Sequence, residues 1–244
     1  MTAPTPKRKL RLITYLSPGV ALEVFEIVVQ YLESVLDVEA SLIYEPRWSG
    51  PPPTRVDPFT SDEVDIAFMC STAFLRLSQN KNQYAELCQA APLHQHTNAL
   101  GRPVYFSDVV VHVDNATKYK TLHDLKGSRW AYNDSISLSG NIIVLAELKR
   151  LGVNASFFGN VIQSGSLLFK HVAVHPVVLN SRLSAEMKEK ITNAFLEVSK
   201  SKEWSEKFRS VNILGYTPVD MMLYNRETEI VDQVKNMTIS AAYY

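Results

Sequence analysis

A chain of 244 residues can form one large domain or two modest lobes, and its 46% hydrophobic content suffices for a packed core. Lysine plus arginine and aspartate plus glutamate stand at 25 each, so no global field collects nucleic acid or an anionic membrane, and any charged ligand must be recognised locally. No run of about 18 apolar residues occurs, which argues against membrane insertion.

The opening MTAPTPKRKLRLITYL carries Lys7, Arg8 and Lys9 ahead of a short apolar segment broken by Ser17 and Pro18. It does not read as a secretory signal peptide, and the expected location is the cytoplasm. The three basic residues read as a solvated tail. Cys70 and Cys88 are the only cysteines, too few for a disulfide framework and without metal spacing. The sequons at Asn115, Asn133, Asn154 and Asn236 read as chance without an export signal.

Residues 9–15, KLRLITY, alternate polar and apolar positions and predict a first strand. After Gly19, Leu22, Phe25, Val28, Leu32 and Val35 recur at three and four and predict a helix; ASLIY (40–44) predicts a second strand. This βαβ opening implies a parallel sheet with right-handed crossovers. EPRWSGPPPTRVDP is a turn-rich loop. VDIAFM (64–69) reads as a buried strand running into CSTAFLRL, which puts Ser71 and Thr72 at a helix entrance.

RPVYFSDVVVHV (102–113) is the longest strand-like run, and TLHDLKGSRWAY predicts a short helix followed by a strand. WAYNDSISLSGN then leads into the helical NIIVLAELKRL, and FFGNVIQSGS predicts a strand with a Ser-Gly-Ser end. From residue 182 the pattern turns helical, with Leu183, Met187, Ile191, Phe195 and Val198 on one face and KEWSEKFRSV as the next short helix. The expected organisation is a first lobe over 9–106, a second over 107–175, and a mainly helical segment over 176–240 that packs back on them.

The helix mouth after WAY holds Ser135, Ser137, Ser139 and Gly140, where one capping residue would be enough. One reading is N-capping by Ser137 or Ser139 with the remainder as loop. The other is an anion cradle: the first N–H groups of a helix lack partners, the macrodipole adds positive charge, hydroxyls donate, and glycine allows close approach. Similar turns follow two other strands, CST at 70–72 and SGS at 164–166, the latter supplying Ser164 and Ser166. Ligands of open α/β sheets bind outside the carboxyl ends of strands, so the three turns are candidates to meet on one small anion. Trp48 and Tyr105, near the same ends, are candidates to cover an organic tail, with core packing as the plain alternative.

VDIAFMCSTAFL, RPVYFSDVVV, DLKGSRWAYNDSISLSG, VIQSGS and PVVLNSRLS together resemble the PhnD-like phosphonate and phosphate substrate-binding proteins of ABC transporters, over most of residues 9–225. The resemblance implies an α/β, type II periplasmic-binding-protein-like fold, with two lobes of mostly parallel sheet that close on ligand by hinge motion. It assigns Ser137, Ser139 and Gly140 to the phosphonate-binding turn of the second lobe, Ser71 and Thr72 to the first-lobe turn, Tyr105 to the ligand's side at the crossover, and Trp48 to an aromatic after the second strand. An ABC permease is the partner by that analogy, and no cofactor is implied.

The chain departs from the family pattern in three ways. Ser166 and Leu167 stand where relatives commonly carry a phosphonate-contacting histidine. LLFKHVAVHPVVLNSRLS passes almost at once to the later PVV strand, skipping a helix and an acidic strand, so a shortened second lobe is expected. The third is that the opening segment does not read as the signal peptide expected of a transport receptor.

The function expected is therefore binding of a phosphonate- or phosphate-type anion in an interlobe cleft without catalysis. Its alternatives are a truncated, non-binding variant and a cytosolic enzyme on the same fold, like the thiamin-pyrimidine synthases. No G-x-S-x-G, P-loop or H-E-x-x-H motif occurs, and a serine without a positioned base is not a nucleophile. His123 beside Asp124 reads as a surface helix. His94 and His96, with His171 and His175, offer only a weak metal pattern, and loop histidines are the simpler account.

Overall fold

The computed structural model describes residues 6–16, 20–106, 108–132, 135–163 and 172–237. The chain forms two compact units: residues 1–104 with 174–223, and residues 105–173 with 224–244. Residues 174–223 thus belong to the first unit, and the chain passes between units three times.

The first unit is built on the predicted βαβ opening. Strand β1 (Arg8–Thr14), helix α1 (Leu22–Val35) and strand β2 (Val38–Tyr44) are followed by β3 (Ile66–Phe68), with β1 parallel to both other strands. Leu10 and Leu12 of β1 and Ile66 and Phe68 of β3 enter the core, where Val24, Phe25, Val28, Tyr31 and Leu32 of α1 meet them. The 3.6-residue period thus buries one stripe of the helix against the sheet. Two antiparallel neighbours, β10 (Val177–Asn180) and then β4 (Ala85–Leu87), complete the order β2-β1-β3-β10-β4.

β10 returns from late in the chain and is locked in by Asn180, whose side-chain amide donates to the Val64 carbonyl at 2.8 Å and to Asp62 at 3.1 Å. Helices α4 (Ala185–Glu197) and α5 (Lys202–Ser210) add Ile191, Phe195 and Phe208 to the same core. A second, antiparallel pair joins β5 (Ala90–His94) to β11 (Ile213–Pro218). Both β10 and β11 lie within the stretch expected to be mainly helical. β11 is interrupted by a register shift between Ile213 and Gly215, and a bulge of this kind breaks the period-two pattern by which a strand is read.

In the second unit β7 (Arg129–Tyr132) pairs in parallel with β8 (Asn160–Gln163), and between them runs α3 (Ile143–Arg150), with α6 (Asn225–Val234) against it. The DLKG segment is a 3-10 turn, Leu122–Leu125, whose capping box has Asp124 accepting from the Thr121 amide at 2.7 Å. Those amide bonds hold the Asp124 carboxyl below its ordinary range, so its role is the cap. Gly127 follows with φ +72°, and a Cβ on Gly159 would lie 2.4 Å from the Gly127 carbonyl oxygen, so two glycines let this turn lie against residue 159.

The long strand expected over 102–113 is not formed as such. Only β6 (Val104–Tyr105) is a strand, paired with β9 (Val172–Ala173), and residues 108–112 form no ladder with any described residue. Valine content favours a strand, but a strand also requires a neighbour.

Candidate functional site

Because β1, β2 and β3 run parallel, their carboxyl ends share one edge. Thr14 is level with both Tyr44 and Phe68, and beyond it the Tyr15 amide donates to the Phe68 carbonyl at 2.9 Å and the Glu45 amide to the Thr14 carbonyl at 3.0 Å. Helix α2 (Ser71–Gln79) starts just past β3 at this edge.

The start of α2 has the features of an open anion mouth. Its N-cap is Cys70, which makes no side-chain cap hydrogen bond, and its first turn holds no acidic residue. The positive end of the helix is therefore not offset locally. Ser71 is 1% exposed, yet its hydroxyl has no hydrogen-bond partner among the described residues. A buried hydroxyl left unpaired is costly, and native proteins seldom keep one without a use. Thr72 lies beside it, also buried, with its hydroxyl 3.2 Å from the Cys70 sulfur.

The loop after β2 is fastened along this helix. The Cys70 amide donates to the Ser49 carbonyl at 2.8 Å, Arg76 donates to the Pro51 carbonyl, and Gly50 packs on Ala73. Trp48, half-buried, is the residue just before that fastening and so stands at the rim of the mouth. Tyr15 is at the same edge. Burial, together with Glu45, Asp57 and Glu63, raises its pKa and keeps it a neutral phenol. Arg47 pairs with Glu45 at 2.9 Å and holds that carboxyl below its usual range.

The second unit has its own mouth after β7. Ser137 is 4% exposed and caps a π-turn, Leu138–Ile142, that continues into α3; its hydroxyl oxygen accepts from the Gly140 amide at 3.2 Å. That bond uses the Gly140 N–H and one lone pair of Ser137. Ser139 is half-buried at the same turn. Asn141, read from sequence as the helix's first residue, is buried here. Its amide donates to the Ser135 carbonyl at 2.8 Å, and its carbonyl oxygen has no partner among the described residues. A π-turn at a helix mouth is a local irregularity often found at functional positions, and no composition signal announces it.

Tyr105 is half-buried in β6, where the chain enters the second unit. Ser164 and Ser166 lie outside the described residues. Of the four histidines considered for metal, His171 also lies outside them, and His96 caps the turn Thr97–Ala99 by accepting from the Asn98 amide at 3.2 Å. His94 lies close enough to His175 to disfavour its protonation, which burial already opposes.

Parallel strands ending at an uncapped, hydroxyl-bearing helix mouth, in a chain that crosses three times between two α/β units, define a type II binding-protein-like molecule with mouths suited to an anion. The chain belongs to the family described as ABC transporter, phosphonate, periplasmic substrate-binding protein, whose model matches residues 10–168, well over half its length. Members of this family bind substrates for transport and are not enzymes.

Among solved structures, a binding-protein component of an ABC phosphonate transporter from Pseudomonas aeruginosa is similar with a TM-score of 0.71 and 16% identity, covering 94% of this chain and 88% of that one. PhnD1 from Prochlorococcus marinus, in complex with methylphosphonate, is similar with a TM-score of 0.65 and 13% identity over 94% of this chain and 99% of that one. The alkanesulfonate-binding protein SsuA from Xanthomonas axonopodis pv. citri, bound to MOPS, reaches 0.53 at 10% identity over 97% and 95%. At such identities these likenesses establish the fold. No curated protein matches the chain in sequence.

Proposed function

We propose that this chain binds a small phosphonate- or phosphate-type anion and releases it unchanged. The observation that carries the proposal is the Ser71 hydroxyl: buried, at the entrance of a helix without a side-chain cap, and without a partner among the described residues. A phosphoryl oxygen there receives a hydroxyl and helix-end amides together. The family and its methylphosphonate-bound structural neighbour support the choice of anion. In the same reading Thr72 lines the mouth, Trp48 and Tyr105 meet an organic tail, and Ser137, Ser139 and Gly140 form the corresponding turn of the second unit.

A thermal-shift and calorimetric panel of methylphosphonate, 2-aminoethylphosphonate, inorganic phosphate and an alkanesulfonate tests this. A ligand at 100 times its dissociation constant stabilises the native state by about 2.7 kcal/mol, or roughly 5 to 11 °C in a chain of this size. A shift with phosphonate or phosphate is the expected result, and no shift with any member overturns it.

A second reading, a non-binding variant, is favoured by one observation: exposed Val109, Val110, Val113 and Ile162 leave much apolar surface on the second unit. The same panel separates the two.

By the family's working arrangement the partner that accepts the ligand is an ABC permease. The cytoplasm is proposed as the compartment, in keeping with Cys70 and Cys88 as buried free thiols. Cell fractionation decides it, and recovery from the periplasm would put the chain where its relatives work.

A further inference from the structure

Asn141 is the fourth residue of the π-turn Leu138–Ile142 and is 4% exposed. Side chains of a helix lean toward its start, and this one reaches back past the cap. Its Nδ2 donates at 2.8 Å to the carbonyl of Ser135, an exposed residue at the rim of the mouth. That bond fixes which end of the carboxamide is which, since the reversed amide would set oxygen against oxygen. Oδ1, in the same plane and at the same mouth, is buried and has no hydrogen-bond partner among the described residues. A buried acceptor of this kind is costly unless a donor arrives.

The charges around the turn bear on which donor that is. Lys149 and Arg150 stand at the far end of α3. Helix α6 packs on the π-turn and on α3; its one buried charged residue is an acid, Glu227, at 2% exposure, and its Arg226 is exposed. A mouth of hydroxyls and helix-end amides without a buried cation suits a ligand of single charge, and Oδ1 suits one that donates. A singly ionised phosphonate or phosphate meets both conditions, because it brings acceptor oxygens together with a P–OH. A sulfonate of the same charge and shape has no proton and sets a lone pair against Oδ1. We propose that Asn141 is a specificity-determining residue, whose Oδ1 accepts the P–OH of a monoprotonated phosphonate or phosphate and so discriminates against sulfonates. The proposal rests on the anion-binding reading above and adds to it the protonation state of the ligand.

Calorimetric titration of the full chain with methylphosphonate, its monomethyl ester and methanesulfonate tests this, at a pH below the second pKa of methylphosphonate. Each ligand then carries one negative charge, and only the first has a P–OH. The wild-type chain should bind methylphosphonate about a hundredfold more tightly than the other two, the scale of leaving a buried acceptor unpaired. Asn141→Leu, or Asn141→Ala where leucine does not fold, should reduce that preference about tenfold or more by weakening methylphosphonate. Methanesulfonate or the ester bound as tightly as methylphosphonate by the wild-type chain overturns the proposal. So does a preference that the folded variant keeps, or a loss confined to 2-aminoethylphosphonate, which would make the ligand's amine the donor. Binding of none of these ligands is a different failure: it removes the anion site itself, and this role of Asn141 with it.

Discussion

A methyl group built on Gly50 would lie 2.3 Å from the Cβ of Ala73, a separation that side chains do not adopt. The loop after β2 and the first turn of α2 are therefore matched surfaces, and the contact is backed by the Cys70 amide on the Ser49 carbonyl at 2.8 Å. The position of Trp48 at the mouth depends on this fit. Gly50→Ala forces one surface away and should cost about 1 to 3 kcal/mol, the range for overpacking a filled core. Ala73→Gly alone should cost about 1 kcal/mol through helix propensity, but less in the Gly50→Ala background, where it also removes the clash. Chemical denaturation of the four proteins checks this, and additive costs would deny the contact.

Ser71→Ala addresses the first-unit mouth. The hydroxyl satisfies no described group, so its removal breaks no internal hydrogen bond and relieves a buried polar atom. Stability should hold or rise slightly, whereas phosphonate affinity should fall by about tenfold to a hundredfold, the equivalent of about 1.5 to 3 kcal/mol for a charge-assisted bond. Calorimetric titration beside a melting curve reads both. Unchanged affinity would remove Ser71 from the site.

Ser137→Ala should behave differently. Its oxygen caps the π-turn by accepting from Gly140, so the variant should lose about 0.5 to 2 kcal/mol of stability whether or not ligand is present. Ser139→Ala, which removes no hydrogen bond to a described residue, should leave melting unchanged and weaken ligand binding if the second mouth takes part. The pair of melting curves separates cap from cradle, which the spacing S-I-S-L-S-G alone does not do.

What the sequence discloses of this fold follows from how local each cause is. α1 was legible to the residue because Leu22 to Val35 repeats on the helical period, and β1 and β2 because short apolar runs sit on either side of it. β11 was not, because its bulge at Leu214 and its glycine at φ +150° imitate a turn, and its pairing with β5 spans more than a hundred residues. Residues 102–113 misled in the opposite direction: composition reports what a segment is able to do, while a ladder depends on a neighbour. At the site, the hydroxyls at the two helix mouths were visible as letters. That Cys70 leaves α2 uncapped, and that Ser137 is already bonded to Gly140, are facts of geometry.

His94 and His175 supply the last prediction. Both belong to the first unit, His94 at the end of β5 and His175 on the way into β10. Burial lowers the pKa of each, and for His175 the nearby His94 adds to the effect and brings it down to about 3. In the unfolded chain both return to the ordinary value near 6.5. Below that pH the unfolded state binds protons that the native state refuses, so stability is full above about pH 6.5 and is lost as pH falls toward about 3. One such group contributes at most about 1.4 kcal/mol per pH unit, and partial solvent access at these half-buried rings lowers that figure, so about 1 to 2 kcal/mol should be lost between pH 6.5 and 5. Carboxylates held low by their partners, such as Asp124, destabilise on protonation only below about pH 4.5 and do not enter this window. Urea denaturation at half-unit steps from pH 7.5 to 5 should therefore show a slope for the wild-type chain that His175→Gln flattens. An equal slope in both proteins would place the proton uptake elsewhere.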